Sequence, residues 1–166
     1  MTVQKIISGG QTGADMGALI AARELGIESG GVAPRGWLTE NGPQEQLLRG
    51  FGLAECDEDG YEARTRRNAA ISDGTLLVGP HTSGGSGLTY ETVRQLGKPL
   101  FLLAFEKPIN IQPEASRLEE FKCWLKDHEI LTLNVAGDRE SQRPGIADFT
   151  REFLVQALPY KVPRNS

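Results

Sequence analysis

Short apolar runs alternate with longer amphipathic segments along the whole chain. The apolar runs predict buried strands over residues 5–8, 31–33, 51–55, 75–78, 100–103 and 130–135. Segments with apolar residues three or four positions apart predict helices over 16–25, 44–49, 61–71, 88–96 and 116–127, and a last helix that Pro144 opens. This alternation predicts an α/β fold, a doubly wound and mainly parallel sheet of about five to six strands with helices on both faces.

Composition and charge place the chain among single-domain proteins. It has 166 residues, of which 39% are hydrophobic, and a formal net charge of −4. This size supports one full core, so we expect a single domain over 1–158 and a frayed tail over 159–166. The acidic balance argues against a nucleic-acid partner. The apolar runs are too short for a membrane span, and the first residues show no signal-peptide pattern, so we expect a cytoplasmic protein without a membrane partner.

Metal-binding patterns are absent from the sequence. Cys56 and Cys123 are far apart and lack metal-ligand spacing, and the chain has only two histidines. We therefore expect buried free thiols and no protein-ligated metal.

The first candidate binding stretch, Ser8-Gly-Gly-Gln-Thr-Gly-Ala-Asp15, links the first strand to the first helix. Glycines at such a turn present backbone N–H groups at the positive end of a helix dipole, where anions bind. Asp15 either competes for those N–H groups or accepts hydroxyl and amine donors of a sugar or pterin. Ala33-Pro34 replaces the acidic residue of a dinucleotide fingerprint, and a P-loop lysine is missing. The alternative is a purely structural turn; the predicted ligand contacts are Gly9, Gly10, Gln11, Thr12, Gly13 and Asp15.

A second glycine-rich stretch follows the strand at 75–78. Adjacent glycines let the backbone approach a ligand closely, and neighbouring hydroxyls bind its oxygens. Ligands of parallel sheets bind at the carboxyl ends of the strands, so we predict one site formed by both stretches. A helix face spaced by three and four residues adds positive charge that neutralises a ligand phosphate. The alternatives are a flexible loop and a solvated helix face; the predicted contacts are Ser83, Gly84, Gly85, Ser86, Gly87, Thr89, Arg64, Arg67 and Asn68.

The order of these motifs resembles the molybdenum carrier family over nearly the whole chain. The matching residues are Ser8–Asp15 and Pro34–Trp37 with Glu40–Gly42, then Tyr61, Arg64, Thr65 and Asn68, then Ser72–Thr75, Gly84-Gly85 with Leu88-Thr89, Gly97–Pro99, and Leu133–Gly137 with Arg139–Ser141. The resemblance implies a Rossmann-like homo-oligomer that binds molybdenum cofactor, a phosphorylated pterin whose dithiolene holds the metal. This family is similar in fold to nucleotide-sensing domains and to cytokinin-activating phosphoribohydrolases.

We therefore expect a carrier for a small phosphorylated ligand rather than an enzyme, with Arg35 and Trp37 closing over the ring system of the ligand. Two alternatives stay open. The phosphoribohydrolases carry Pro-Gly-Gly-x-Gly-Thr-x-x-Glu, and this chain departs from that pattern at Ser83 and Leu88. A nucleoside-monophosphate glycosidase would use Glu91 and Arg67, because its transition state needs a carboxylate near the anomeric carbon. The other alternative is a nucleotide-derivative sensor.

Overall fold

The fold is taken from a computed structural model that describes residues 2–80, 84–104 and 112–161. The predicted contact from Ser83 and the predicted frayed tail over 162–166 lie outside these residues. Within the described part of the tail, the Lys161 N–H donates to the Leu25 carbonyl oxygen at 2.8 Å.

Eight strands lie within the described residues, and six of them form one parallel sheet. They are β1 (Lys5–Ile7), β2 (Glu28–Ala33), β3 (Leu38–Thr39), β4 (Gly42–Pro43), β5 (Leu53–Glu55), β6 (Gly74–Val78), β7 (Leu100–Leu103) and β8 (Thr132–Gly137). The order in the large sheet is β5-β2-β1-β8-β6-β7. The remaining strands, β3 and β4, pair antiparallel in a small hairpin that the hydrophobic pattern did not predict.

Helices cover both faces of the sheet. They are α1 (Ala14–Leu25), α2 (Glu45–Gly50), α3 (Tyr61–Ile71), α4 (Gly84–Gln95), α5 (Ala115–Asp127) and α6 (Ile146–Ala157). The predicted Rossmann-like α/β class is confirmed. No helix in the described ranges has the length and apolar character needed to cross a bilayer.

Several predicted ends are shifted by a few residues, and the largest error is at the start of α4, which begins at Gly84 and not at residue 88. Glycine is unfavourable inside a helix, but the first turn has no intrahelical partners for its N–H groups in any case. Side chains hold the turn in place: Ser86 Oγ donates to Asp138 Oδ1 at 3.0 Å, and Thr89 Oγ1 donates to the Gly85 carbonyl oxygen at 3.1 Å.

The last strand lies in the middle of the sheet. In the register, Leu133 of β8 pairs with Ile6 of β1 on one side and with Gly74 of β6 on the other. The chain therefore winds outward from β1 to β5, then from β6 to β7, and returns to the centre at β8. The carboxyl ends of β1, β8 and β6 are neighbours, and this is the switch point at which α/β sheets bind ligands.

Two apolar clusters hold the layers together. The larger one packs α1, α5 and α6 on the sheet and includes the fully buried Phe121, Phe153 and Leu133. In it, α1 approaches α6 closely, because a Cβ on Gly17 would lie 2.2 Å from the Ala147 carbonyl oxygen. The smaller cluster contains Leu19, Ala33, Trp37, Leu48, Phe51 and Leu53, and fixes the segment after β2 against α1.

Candidate ligand site

A cavity of about 430 Å³ opens at the switch point of the sheet. Both predicted glycine-rich stretches contribute to its wall, together with α3 and the end of β8. The described residues that line it are Gly9, Gln11, Asp15, Tyr61, Arg64, Thr65, Asn68, Gly84, Gly85, Ser86, Leu88, Thr89, Asn134, Val135, Ala136, Gly137, Arg139 and Gln142. The two stretches thus lie at one cavity, as the sequence predicts.

The β1–α1 loop (residues 8–13) keeps most of its N–H groups for internal hydrogen bonds. The pairs are Gly10 N–H to Ser8 Oγ (3.3 Å), Gln11 N–H to Asp15 Oδ2 (3.1 Å), Thr12 N–H to Gln11 Oε1 (3.0 Å), and, at the start of α1, Ala14 N–H to the Asp138 carbonyl oxygen (3.2 Å). The loop therefore differs from the anion cradle expected at a strand-to-helix turn, because a carboxylate of its own chain already takes that place.

Asp15 and Arg64 form a buried ion pair beside this loop. The Arg64 Nη1 to Asp15 Oδ2 distance is 3.2 Å, and the side chains of Arg64 and Asp15 are 12% and 5% exposed, respectively. Burial raises the pKa of the Asp15 carboxyl, while the Arg64 guanidinium and the Gln11 N–H oppose that rise. A Cβ on Gly9 would lie 1.6 Å from Arg64 Nη1, so a side chain here would displace the guanidinium from its present position. The charge of Arg64 is therefore balanced within the protein.

Two donors at the cavity wall lack an acceptor. Gln11 is 6% exposed, and its Oε1 accepts the N–H groups of Thr12 and Glu40, at 3.0 and 2.9 Å. Its Nε2 is buried without a hydrogen-bond partner among the described residues, and so is Arg64 Nε. A buried polar group without a partner is costly and marks a place for a ligand or a water. Since both groups donate, the missing partner is an acceptor.

The first turn of α4 forms the opposite wall. Gly84 and Gly85 line the cavity and are exposed, and a Cβ on either would meet no described atom within 4 Å. The N–H groups of a first helical turn lack intrahelical partners and lie at the positive end of the helix dipole. Ser86 and Thr89, both buried, line the cavity beside them. An anionic group is favoured at this end.

Arg139 and Tyr61 line the cavity, and the sequence analysis assigned a role to neither. The guanidinium carbon of Arg139 lies 5.3 Å from the centroid of the Tyr61 ring, and that of Arg64 lies 5.4 Å from it. Arg139 follows β8, and only the central position of β8 brings it here. Residues 133–137 and 139–141 are part of the family resemblance, but their spacing did not indicate that Arg139 would lie beside Tyr61.

Other predicted residues lie away from the cavity or have structural partners. Arg67 pairs with Asp57 and, at 3.3 Å, with Glu58. Asn68 lines the cavity, but its side chain bonds the backbone of Val32, accepting at 2.8 Å and donating at 3.0 Å. The positive charge expected from the α3 face therefore comes from Arg64, whose charge Asp15 already balances.

Arg35 and Trp37 do not line the cavity. Trp37 is buried in the smaller apolar cluster, with the Arg49 guanidinium carbon 4.8 Å from its ring centroid. Arg35 is exposed and pairs with Asp59 at 3.5 Å. Since Trp37 is held by core packing, the structure does not support the idea that this pair closes over a ligand. Gly87 and Glu91 also lie outside the cavity lining, and Glu91 is exposed.

Alternate residues of the β1–α1 loop face a second cavity of about 620 Å³. Gly10, Thr12 and Gly13 line this second cavity, whereas Gly9 and Gln11 line the first. The other residues around it are Met16, Thr39, Glu40, Asn41, Gln44, Leu47, Glu140, Ser141, Pro144 and Ala147. The loop is thus a wall between two cavities, and three of the residues predicted to bind the ligand belong to the far side.

Metal ligands are not grouped in the described ranges. No set of three or more His, Cys, Asp or Glu residues there is arranged to hold an ion.

Comparison with known proteins identifies relatives of this chain. Residues 6–158 match the model of the circularly permutated YpsA SLOG family. The fold is similar to a crystal structure named "Putative molybdenum carrier protein", from Syntrophus aciditrophicus SB, with a TM-score of 0.83 and 35% sequence identity over 94% of each chain. No curated protein matches. The resemblance that the motifs indicate is thereby confirmed.

Proposed function

This chain belongs to the circularly permutated YpsA SLOG family, and from that premise and the cavity geometry we propose that it is a binding and carrier protein for molybdenum cofactor. The ligand is a phosphorylated pterin, held between the β1–α1 loop and the first turn of α4. The proposal rests on the composition of the cavity wall. The donors without a partner, Gln11 Nε2 and Arg64 Nε, and the N-terminus of α4 all lie at the same cavity. The relative from Syntrophus aciditrophicus SB is named a molybdenum carrier protein, which supports the same ligand class.

The residues at this wall fit an acceptor-rich, anionic ligand. The first turn of α4 would hold the phosphate, and Arg139 would supply the balancing charge, because Arg64 is already paired with Asp15. Gln11 Nε2 would donate to an oxygen or ring nitrogen of the pterin, and Tyr61 offers an aromatic surface at the edge of the cavity. When bound, the cofactor would bring its own dithiolene ligation for molybdenum, so the protein needs no metal ligands.

The same geometry argues for binding over hydrolysis. Among the described lining residues the one carboxylate is Asp15, and its Oδ2 accepts hydrogen bonds from the Gln11 N–H and Arg64. Glu91, the carboxylate that a glycosidase would need, is not part of the wall. A carrier requires no acid or base next to the ligand, whereas hydrolysis of a glycosidic bond requires a free one.

The direct test is titration of the purified protein with molybdenum cofactor, in parallel with adenosine monophosphate, followed by measurement of the affinity and of the cofactor half-life. We expect binding at micromolar protein concentration and a longer half-life of the cofactor. Preference for adenosine monophosphate would favour the sensor alternative, and release of adenine would favour the glycosidase. Failure to bind or protect the cofactor would overturn the proposal.

A variant that replaces the Nε2 donor by a negatively charged oxygen sharpens this test. In Gln11→Glu, one carboxylate oxygen still accepts the N–H groups of Thr12 and Glu40, while the donor at Nε2 becomes a negative oxygen. We expect the affinity for the cofactor to fall by about tenfold to a hundredfold, the effect of losing one hydrogen bond to a charged or buried acceptor. Gln46→Glu, on exposed α2, adds the same charge outside the site and is expected to leave the affinity unchanged. Unchanged binding by Gln11→Glu would remove Gln11 from the ligand site.

A further inference from the structure

Glu40, at the turn of the β3–β4 hairpin, connects three separate segments of the chain. Its Oε1 accepts a hydrogen bond from Thr12 Oγ1 of the β1–α1 loop. Its carboxylate also accepts from the Ser141 hydroxyl and, at 3.2 Å, from the Ser141 N–H, in the segment between β8 and α6. The hairpin, the loop and the segment after β8 are thus joined at one side chain.

The backbone of Glu40 contacts the side chain of Gln11. The Glu40 N–H donates to Gln11 Oε1 at 2.9 Å, and the Thr12 N–H donates to the same oxygen at 3.0 Å. A flipped amide would place the Gln11 NH₂ group against these two N–H donors, which is unfavourable. The two N–H groups therefore define which end of the amide is oxygen, and they leave Nε2 as the end that is free for a ligand.

The hairpin depends on such contacts for its position. It has two residues in each strand, paired as Leu38 with Pro43 and Thr39 with Gly42. An isolated two-stranded hairpin is marginal in water, so its place on the molecule is set by tertiary contacts, namely those of the preceding Trp37 in the smaller apolar cluster and those of its turn. Glu40 provides these contacts toward the β1–α1 loop.

We propose that Glu40 is a positioning residue, which holds the hairpin on the β1–α1 loop and thereby fixes the Gln11 amide with Nε2 free to donate to the ligand. Glu40 lines the second cavity and not the first, so it acts through Gln11 rather than by touching the ligand. The other carboxylate of that second cavity, Glu140, bonds the N–H groups of Gly145 and Ala147 at the start of α6 and has a separate role. The orientation of Gln11 stands on geometry alone, whereas its consequence for affinity rests on the proposed function.

The first test observes the Gln11 side-chain amide by ¹⁵N NMR in the protein without ligand. We expect one sharp NH₂ pair in the wild-type protein, identified by its loss in Gln11→Glu. Glu40→Ala is expected to shift and broaden this pair, because the amide then samples both orientations. Glu40→Gln keeps an acceptor for Thr12 and Ser141 and is expected to restore the wild-type signal. Glu45→Ala, which removes an exposed carboxylate paired with Arg49 on α2, is the control and should change nothing.

The second test measures affinity for molybdenum cofactor in the same variants. Glu40→Ala is expected to bind about tenfold more weakly, as for one lost hydrogen bond, and Glu40→Gln within about threefold of wild type. If Glu40→Ala does not fold, Ser141→Ala removes one donor to the carboxylate and tests the same link.

The two tests can fail independently of each other. A Gln11 signal that is unchanged in Glu40→Ala or Ser141→Ala would overturn the positioning role, whatever the ligand. If the wild-type protein does not bind the cofactor at all, the proposed function fails while the NMR result still decides the role of Glu40. Broadening in Glu40→Ala that Glu40→Gln does not rescue would also contradict the proposal, since the carboxylate would then act through its charge.

Discussion

The β1–α1 loop and the first turn of α4 are both rich in glycine and both follow a buried strand, yet their glycines have different causes. In the loop, a Cβ on Gly9 would lie 1.6 Å from Arg64 Nη1, and one on Gly13 would lie 2.3 Å from the Asp138 carbonyl oxygen. In α4, a Cβ on Gly84 or Gly85 would meet no described atom within 4 Å. In the loop a side chain would collide with neighbouring atoms, whereas in α4 it would meet open space, and Gly84 is favoured there by its φ of 65° instead.

The N–H groups of the two regions differ in the same way. In the loop they bond Ser8, Gln11 and Asp15, so the loop is a closed, internally satisfied structure. In the first turn of α4 the helix itself supplies no acceptors. The comparison teaches that a strand–glycine–helix pattern does not by itself identify an anion site, because a buried carboxylate of the same chain takes the place of the anion.

The largest expected effect comes from removing that internal anion. Asp15→Ala leaves the buried Arg64 guanidinium without its partner, and the free energy of unfolding is expected to fall by about 3–5 kcal/mol. Chemical denaturation measures this change. The matched control is Glu62→Ala on the same helix as Arg64, which breaks the exposed Arg66–Glu62 pair and is expected to cost less than about 1 kcal/mol. Equal effects of the two variants would mean that Asp15 is not the internal anion of the loop.

The next effect separates the two kinds of glycine. Gly13 has φ of 81° and no room for a Cβ, so Gly13→Ala is expected to destabilise by at least about 1–3 kcal/mol from backbone strain alone. Thermal or chemical denaturation gives the difference from wild type.

Gly85→Ala is the counterpart in α4. Because its Cβ meets open space, its free energy of unfolding is expected to stay within about 1 kcal/mol of wild type, in the stabilising direction. Because Gly85 lines the cavity, the added methyl group is expected to weaken binding of molybdenum cofactor while the fold is retained. A destabilised Gly85→Ala or an unaffected Gly13→Ala would remove the distinction between the regions.

The smallest expected effect is a dependence of the free energy of unfolding on pH, through the Glu40 carboxyl. Hydrogen bonds from Ser141 and Thr12 hold the pKa of the Glu40 carboxyl below its ordinary value. A lowered pKa in the folded state means that this stabilisation is fully present above the ordinary carboxyl range and is lost as pH falls through the lowered pKa. The difference in free energy of unfolding between wild type and Glu40→Gln should therefore shrink on acidification through that range. A difference that is constant or grows toward low pH would mean that the hydrogen bonds from Ser141 and Thr12 do not favour the ionised form of the Glu40 carboxyl.

Local patterns predicted the elements with small errors at their ends. The helix over 61–71 and the strand over 100–103 have the bounds that periodicity and the flanking turns gave. The start of α4 was missed, since a helix propensity scale counts Gly84–Gly87 as unfavourable and does not include the bonds that Ser86 and Thr89 make. The β3–β4 hairpin was missed because two residues per strand leave no period to detect.

The candidate site was predicted only in part, because some of its contacts depend on packing between distant elements. The cavity is lined, as expected, by Gly9, Gln11, Asp15 and Arg64. The fold class predicts which ends of their helices and strands lie near the switch point of the sheet. The partners of Arg67 and the burial of Trp37 depend on which elements pack together, and the sequence pattern does not contain that information. Arg139 and Tyr61 were missed because neither has a distinctive local motif.

Residues close together along the chain were enough to predict the alternation of strands and helices, the α/β class, the motifs of the family and the two glycine-rich stretches. The insertion of β8 between β1 and β6, the pairing of Asp15 with Arg64 and the contact of Glu40 with Gln11 became visible only in the folded protein. These features join residues far apart in sequence, and long-range packing and buried charge compensation, rather than local propensity, select them.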